Sequence, residues 1–503
     1  MFAKQSGLSA IISTFFFKSF GFMLSFLKHI IIAGFIGLSS QLDVFYMAIA
    51  IIGVLVSSWG HVFDVIAIPK IIELSKIKNS KELNLFLGGM LTLSLFLSLF
   101  ICAIFIFFPH YVIFMAYGFD DQRKYLLSES FFWLIPAIVM FLPLSFVGSI
   151  LKSFRQFNIL YLSEIIGSII VLFCIYFYLE KPNVLYWSYS LNILIPFILV
   201  YIAVNFSTKL FFLYPFRRSI LVILISVPSL FILHGSNYLF IFSDRFFATF
   251  LSEGDMSALA YATTLVLVFP IAIGIPYYFL TIYADEKDDE QRLRKTNDMF
   301  SLAILISFSS FVFFWIVGDD LISLLFERGK FSYQDTQRVS ELLMALSLML
   351  FPLFVQRPID QIFQVENQIN VIVKRTLAGL FLNIILNYTF IFYMQLGIFG
   401  VALATTISNW IILVLSIEQL RKLKIIIYWK NHVFFILWLV VIFVPIIIFH
   451  NSWVQNKFTN SVEIVISIAL MVLFTIPGLL IYSGPEQRLV LVVLRKIFIF
   501  KKL

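Results

Sequence analysis

The chain has 503 residues, of which 61% are hydrophobic and 13% are charged, and its mean hydropathy is +0.99. So few polar side chains cannot cover a water-soluble globule of this length, and the composition therefore excludes a soluble enzyme. In a soluble protein the net charge of +8 would suggest a nucleic-acid partner. Here the basic residues follow the pattern of membrane topology instead, and we predict no nucleic-acid partner.

Apolar stretches long enough to cross a bilayer follow one another along the chain. About 20 mostly apolar residues form a helix that spans about 30 Å of hydrocarbon. Such segments, separated by charged breaks, occur at 8–36, 43–68, 84–108, 126–152, 158–179, 184–206, 219–247, 257–283, 298–326, 339–365, 370–394, 396–419, 431–450 and 461–482. The first is too long for the apolar part of a signal peptide, so we interpret it as a retained span. We therefore predict an all-α, polytopic membrane helix bundle with about 14 transmembrane helices.

Lysine and arginine are concentrated on one side of the predicted membrane. Most lie in the alternate loops that share a side with the two termini, for example at Lys70, Arg217, Arg421 and Lys496. Because basic loops stay in the cytoplasm, both termini are predicted to be cytoplasmic. We interpret these charges as topological signals rather than as a partner site.

A weak internal repeat groups the predicted spans. Asn158 and Asn370 are separated by the same number of residues as Asp43 and Asp255, and each asparagine introduces an apolar span. Repeated halves with a site between them are a common plan of transporters. The prediction is a six-helix N-terminal lobe, a six-helix C-terminal lobe, and two additional helices with a basic cytoplasmic tail, at residues 1–218, 219–425 and 426–503.

Motifs of catalysis and cofactor binding are missing from the sequence. It contains no phosphate-binding loop of the G-x-x-x-x-G-K-[ST] type, no H-E-x-x-H, no C-x-x-C and no G-x-S-x-G. The two cysteines, Cys102 and Cys174, lie in apolar runs, where cysteine usually acts as a small hydrophobic residue. We predict a transporter rather than an enzyme, with no catalytic residue, no metal site and no cofactor. Its energy would come from an ion gradient, the membrane potential or the removal of product, and the sequence does not distinguish these sources.

Polar side chains inside the predicted spans are the candidate functional residues, because they are costly in lipid and normally face a bundle interior. Lys18, Ser25 and Lys28 share one face of the first helix, and two cations on one face suggest an anionic substrate. Arg357 precedes Pro358, where a kink would free backbone groups. The candidates for substrate binding are Lys18, Ser25, Lys28, Ser57, His61 and Arg357.

Three acidic residues inside the spans, Asp64, Asp244 and Asp360, are candidates for coupling to a cation. Two of them have a structural alternative, since Asp64 can pair with His61 and Asp360 with Arg357. The lysines have an alternative as well, because a lysine stem can reach the membrane interface.

Several segments resemble a known family. The stretch from Gly318 to Phe331 ends in L-F-x-x-G-x-F and is followed by Asp335 and Thr336. Further segments of this kind are 19–22, 42–48 (Leu-Asp-Val-Phe-Tyr-Met-Ala), 60–69 and 257–262. Taken in chain order, these segments resemble motifs of the MurJ/MviN lipid II flippases. That family belongs to the superfamily of multidrug, oligosaccharidyl-lipid and polysaccharide exporters. The resemblance covers spans 1 to 12 and implies the fold of these exporters in a bacterial cytoplasmic membrane.

The resemblance also implies a central cavity whose arginines hold the pyrophosphate and sugar of a lipid-linked substrate. Lys18 keeps the charge at the first such position. Other positions differ, with Ser25, Ser57 and Thr264 in the regions where the family carries charged residues. Either relocated charges such as Lys28, His61 or Arg357 hold the anion, or the substrate differs from lipid II.

Three functions are therefore compared. The first is a flippase that moves an undecaprenyl-pyrophosphate-linked saccharide, such as the peptidoglycan precursor lipid II, from the inner to the outer leaflet by alternating access. The second is the same activity on a lipid-linked O-antigen or capsule unit. The third is a cation-coupled drug antiporter, against which the last two predicted spans argue. The expected partners are the undecaprenyl-linked lipid and the membrane lipids, and the sequence defines no oligomeric state.

Overall fold

The computed structural model describes residues 7–76, 80–178, 181, 183–208, 227–273, 288–366, 368–423, 427–455 and 457–481. These residues form helices and no strand, which confirms the predicted all-α class. The α-helices are α1 (Gly7–Ile36), α2 (Ser40–Ile52), α3 (Ser58–Lys76), α4 (Ser80–Phe107), α5 (Pro109–Phe114), α6 (Asp121–Ser153), α7 (Phe157–Tyr178), α8 (Val184–Thr208), α9 (Val227–Ala248), α10 (Asp255–Ile273), α11 (Asp289–Phe326), α12 (Tyr333–Ser347), α13 (Leu350–Val365), α14 (Ile369–Tyr388), α15 (Gly397–Lys422), α16 (Trp429–Phe449) and α17 (Asn460–Ile481). Three π-helical turns follow α2, α14 and α16, at Gly53–Ser57, Thr389–Tyr393 and His450–Val454.

Within the described ranges, 10 helices are long and apolar enough to cross a membrane. The number becomes 11 if α12 and α13, which meet at a bend of 40°, form one broken span. Two shorter apolar helical stretches, Ser40–Val56 and Asp255–Val268, coincide with the predicted spans at 43–68 and 257–283. The chain is therefore a multi-pass membrane protein, and the total of about 14 spans stays a prediction.

Contacts divide the chain into two units. The first comprises Met1–Ser257 together with Arg328–Phe331, and the second comprises Ala258–Glu327 and Ser332–Leu503. In the first unit α6 packs against α2, α3, α4 and α8, and α7 joins α1 to α8. In the second unit α11 packs against α12, α13, α16 and α17, and α14 pairs with α15. The lobe boundary that we predict at 218 lies outside the described residues.

Short polar side chains begin several helices. Ser39 accepts a hydrogen bond from the backbone N–H of Leu42 at the start of α2, and Asp120 accepts one from Arg123 at the start of α6. Ser332 and Asp335 form a reciprocal capping box at the start of α12. Such caps satisfy backbone donors that lack partners within the helix. Asp335, part of a segment that resembles the flippase family, therefore has a structural function.

Two other family-like segments meet at Asp43, which is only 1% exposed. One carboxylate oxygen accepts from the backbone N–H of Gly254 at 2.7 Å, and the other accepts from Ser257 at 2.8 Å. Asp43 from the second predicted span thus fixes the first turn of α10. A buried carboxylate without such donors would be strongly destabilising.

We expect Asp43→Asn to lower the free energy of unfolding by about 2 kcal/mol, because the amide replaces one charged acceptor by a donor that faces backbone N–H groups. The measurement is thermal unfolding of the purified full-length protein in detergent. Asp121→Asn is the matched control, since Asp121 is an exposed residue in the first turn of α6. Equal transition temperatures for the two variants would contradict the assigned role.

A close backbone contact explains the glycine of the L-F-x-x-G-x-F pattern. Gly329 has a φ of +60°, and a Cβ atom there would overlap the carbonyl oxygen of Gly34. The next residue, Lys330, donates its backbone N–H to that carbonyl at 2.8 Å. A side chain at position 329 is excluded both by the positive φ and by this approach.

Glu253 gives the loop before α10 a pH-dependent contact. Its carboxylate accepts the backbone N–H of Ser40 at 2.8 Å, and this hydrogen bond holds the pKa of Glu253 below its usual range. A carboxyl group whose pKa is lowered by folding contributes stability above its unfolded pKa, and that contribution is lost as the pH falls through the folded pKa.

We therefore expect Glu253→Gln to reduce the acid-induced loss of stability. The measurement is the transition temperature of the full-length protein in detergent, from about pH 7 down to about pH 3. Glu341→Gln, at an exposed position of α12, controls for the loss of a surface charge. An unchanged pH profile in Glu253→Gln would show that the Ser40 contact does not contribute.

Candidate functional site

The polar stripe predicted on the first span lies along α1. Lys18 is exposed, whereas Ser25 and Lys28 are half-buried. Because these positions follow the helical repeat, they share one side of α1. The helix packs against α7, and the Lys18 ammonium lies 5.3 Å from the centroid of the Tyr161 ring. Cations are attracted to the face of such a ring.

Charged side chains from α3, α6 and α7 adjoin this stripe. Lys152 Nζ lies 2.6 Å from Asp64 Oδ2, and the Ser149 hydroxyl donates to Asp64 Oδ1 at 2.5 Å. Glu164 interacts electrostatically with both Lys152 and Lys18. The Lys152 and Asp64 side chains are 29% and 25% exposed. The ion pair can therefore be approached by another charged group.

Lys28 joins the same surface one turn along α7. Its Nζ donates to Asn192 Oδ1 at 3.4 Å, and the hydroxyl of Ser168 donates to the same oxygen at 3.4 Å. Ser168 follows Glu164 by one helical turn, so the two contacts lie on one side of α7. We call this surface the N-terminal polar face; its members are Lys18, Lys28, Asp64, Lys152, Glu164, Ser168 and Asn192.

The N-terminal polar face combines three ammonium groups (Lys18, Lys28 and Lys152) with two carboxylates (Asp64 and Glu164), so cations exceed anions by one. Lysine is a compact charge with three donors on a flexible stem, and it binds phosphate oxygens well. Asn192 and Ser168 add neutral hydrogen-bonding groups of the kind that bind hydroxyl and amide groups. The arrangement suits a substrate that carries both phosphate and sugar.

Arg245 lies near Lys28, since His29 interacts electrostatically with both residues. Its guanidinium is positioned by contacts with Tyr46. It donates to the carbonyl oxygen of Tyr46 at 2.8 Å, and its guanidinium lies 4.8 Å from the centroid of the Tyr46 ring. The Tyr46 hydroxyl contacts His29 Nδ1 at 3.2 Å. Asp244, which we predict to couple transport to a cation, interacts electrostatically with Arg245.

Asp360, the other acidic candidate outside the polar face, belongs to a partly buried network in the second unit. It forms an ion pair with Arg375, which is 4% exposed. Arg375 Nη1 donates to the hydroxyl of Ser416 at 2.5 Å, and Gln356 Nε2 donates to Asp360 at 3.0 Å. Arg357 is exposed and lies outside this network. The alternative pair of Asp360 with Arg357 is therefore replaced by a pair with Arg375.

The structure thus places the predicted residues in different surroundings. Lys18, Lys28 and Asp64 all belong to the N-terminal polar face, where Lys18 lies at Tyr161, Lys28 at Asn192 and Asp64 at Lys152. Ser25 lies on the same side of α1. The side chains of Ser57 and His61 lie outside the described residues. Lys152, Glu164, Asn192 and Arg375 are absent from the sequence-based candidates. Lys152, Glu164 and Arg375 carried a usable signal, since each is a charge at or within a predicted span.

Helices long enough to cross a membrane, joined to a lysine-rich polar face within them, define a multi-pass membrane transporter. The model of the family "Lipid II flippase MurJ" matches residues 32–473. Since the match includes most of the sequence, the chain belongs to the MurJ family of lipid II flippases.

Relatives and solved structures agree with this assignment. The chain is 25% identical over 464 residues to the probable lipid II flippase MurJ of Buchnera aphidicola subsp. Acyrthosiphon pisum (strain APS), covering 88% of this chain and 90% of the relative. It is 26% identical over 351 residues to the probable lipid II flippase MurJ of Rickettsia prowazekii (strain Madrid E), covering 66% and 68%.

The fold is similar to that of a solved lipid II flippase MurJ in an inward closed conformation, with a TM-score of 0.78, 20% identity, and coverage of 93% of this chain and 98% of that one. An inward-facing multidrug resistance transporter of the MATE family matches with a TM-score of 0.66 and 15% identity, covering 80% and 94%. The predicted resemblance and fold class are confirmed.

Proposed function

We propose that this protein moves lipid II, an undecaprenyl-pyrophosphate-linked saccharide, from the inner to the outer leaflet of a bacterial cytoplasmic membrane by alternating access. The observation that carries the proposal is the family match over residues 32–473. It favours lipid II over the O-antigen or capsule units and the drugs that the sequence leaves open. The protein is accordingly proposed to act as a transporter without a catalytic residue.

The N-terminal polar face supports an anionic headgroup as the substrate. Lys18, Lys28 and Lys152 would bind the pyrophosphate, while Asn192 and Ser168 would bind polar groups of the saccharide. These contacts would replace the water that the headgroup loses, and the polyprenyl chain would stay in lipid. Ser25, Ser57, His61 and Arg357 remain further candidates for this binding.

The ion pair of Lys152 with Asp64 offers a route to energy coupling. A phosphate oxygen that takes Lys152 away from Asp64 would leave the carboxylate to bind a proton or another cation. Substrate and coupling cation would then bind together. We propose an ion gradient or the membrane potential as the driving force, with no cofactor, and we propose that both termini are cytoplasmic.

Depletion of the protein in its host tests the proposed function. Undecaprenyl-linked intermediates are extracted, and their leaflet is determined by their accessibility to an external enzyme or reagent. Accumulation of lipid II in the inner leaflet, followed by lysis, is the expected result. Normal lipid II together with an accumulated O-antigen or capsule intermediate would assign the second function, and unchanged lipid-linked intermediates would overturn flipping altogether.

A further inference from the structure

Three side chains from separate elements of the second unit converge at one end of α11. They are Asp320 of α11, His450 of the π-helical turn after α16, and Glu463 in the first turn of α17. One possible ligand atom from each residue lies within 4.8 Å of the other two. His450 and Glu463 are 1% and 2% exposed. The cluster is therefore built into the packing of these helices.

The imidazole of His450 has an unsatisfied nitrogen. Its Nε2 is buried without a hydrogen-bond partner among the described residues, while its Nδ1 lies 3.4 Å from the Asn451 side-chain oxygen. When Nδ1 donates to that oxygen, Nε2 presents its lone pair. This is the arrangement in which histidine binds a metal ion and an outer hydrogen bond fixes the ring. An unpaired buried nitrogen would otherwise be destabilising.

The two carboxylates supply the remaining charge. Glu463 Oε1 accepts from the backbone N–H groups of Lys457 at 3.0 Å and Phe458 at 3.2 Å, which fixes its orientation. Asp320 interacts directly with Glu463. In the described ranges, no lysine or arginine forms a salt bridge with either carboxylate. Two acidic groups at such a distance repel each other unless a proton or a cation lies between them.

We propose that Asp320, His450 and Glu463 form a binding site for a divalent transition metal, with Zn²⁺ as the preferred ion. One imidazole nitrogen and two carboxylate oxygens match the ligand preferences of zinc, and water would complete the coordination. With metal–ligand bonds of about 2.1 Å, ligand atoms in a tetrahedral site lie about 3.4 Å apart, so small inward movements bring these three into range.

The proposed metal would join α16 and α17 to α11. These helices already share contacts, for example between the Phe308 and Phe443 rings, whose centroids are 5.7 Å apart. His432 of α16 also contacts Asn297 and Ser301 of α11. The cluster of Asp320, His450 and Glu463 lies at the C-terminal end of α16, opposite the end that carries His432. Its role would be structural, since a metal that binds only the folded state stabilises that state. The proposal is independent of the flipping activity.

The test uses the full-length protein purified in detergent, treated with EDTA, exposed to Zn²⁺, and freed of excess metal by gel filtration. We expect about one zinc ion per chain in the wild type, and less than about a fifth of that in His450→Gln and in Glu463→Gln. His110→Gln is the matched control, because His110 is an exposed histidine near the start of α5. This variant should keep the zinc.

Two further measurements protect the test against misfolding. Zn²⁺ should raise the transition temperature of the wild type and of His110→Gln, but not that of His450→Gln. Replacement by Co²⁺ should give visible absorption bands that His450→Gln lacks. The proposal fails if the wild type binds no more zinc than His450→Gln, or if His110→Gln is the variant that loses it, which would identify adventitious surface binding.

Discussion

Replacing Lys28 by glutamine should reduce lipid II translocation about tenfold or more. One hydrogen bond to a charged group contributes about 1.5–3 kcal/mol, and about 1.4 kcal/mol corresponds to a factor of ten. Lys28 is half-buried, and its ammonium donates a hydrogen bond to Asn192. This contact fixes the position of the ammonium, which would otherwise move freely in solvent. Lys18→Gln and Lys152→Gln should act in the same direction, because each removes one of the three cations that we assign to the pyrophosphate.

The measurement is the fraction of lipid II accessible at the outer leaflet in cells that depend on the variant, normalised to the amount of protein in the membrane. Lys28→Arg should retain part of the activity, since it keeps the charge but changes the shape of the donor group. Lys422→Gln is the control; this exposed lysine at the end of α15 pairs only locally with Glu418, at 3.0 Å. Equal translocation by Lys28→Gln and Lys422→Gln would remove Lys28 from the binding site.

The proposed transfer of Lys152 from Asp64 to the substrate phosphate can be tested separately from substrate binding. If Asp64 holds Lys152 until the phosphate arrives, Asp64→Asn should change the dependence of transport on the ion gradient more than it changes substrate binding. A variant that loses both to the same extent would indicate that the 2.6 Å pair serves only to hold α3 against α6.

The sequence predicts the membrane helices well because one signal suffices for each of them. A run of apolar residues of membrane length requires no knowledge of neighbouring helices. The interruption of the second span by the π-helical turn Gly53–Ser57 has no comparable signal. Backbone deviations of this kind depend on the packing around the turn, which a hydrophobic pattern does not report.

The candidate site was predictable only where its residues share a helix. Lys18 and Lys28 follow the helical repeat of α1, so they could be identified together. Pairing Asp64 with Lys152 requires the register between α3 and α6, and pairing Asp360 with Arg375 requires that between α13 and α14. Nothing in a single sequence defines such a register. The proposed metal site has ligands from three separate elements, so its assembly depends on the same kind of register. The sequence therefore predicts no metal site.

Family resemblance gave the correct fold, but it did not identify the function of each motif. Asp43, Gly329 and Asp335 all belong to family-like segments, and all three stabilise the backbone. The carboxylates of Asp43 and Asp335 accept hydrogen bonds from backbone N–H groups. Gly329 permits the close approach of the backbone at Gly34. Such positions are constrained by folding.

Arg375→Met should cause the largest loss of stability among the substitutions considered, about 3 kcal/mol. Arg375 is 4% exposed and Asp360 27%. Removing the arginine of this partly buried ion pair leaves the carboxylate without compensation, and the penalty for that charge exceeds the value of the pair itself. Arg375 also lies 5.3 Å from the centroid of the Phe363 ring and donates to Ser416, so several contacts between α13, α14 and α15 are lost together.

A double-mutant cycle separates these contributions. Asp360→Asn combined with Arg375→Met should be less destabilising than the sum of the single variants, because the double variant leaves no unpaired charge. Thermal unfolding in detergent gives the comparison, and Arg421→Met, at an exposed position near the end of α15, is the control. Strict additivity would show that the Asp360 carboxylate does not depend on Arg375. In that case Asp360 would return to consideration as a residue that binds the coupling cation directly.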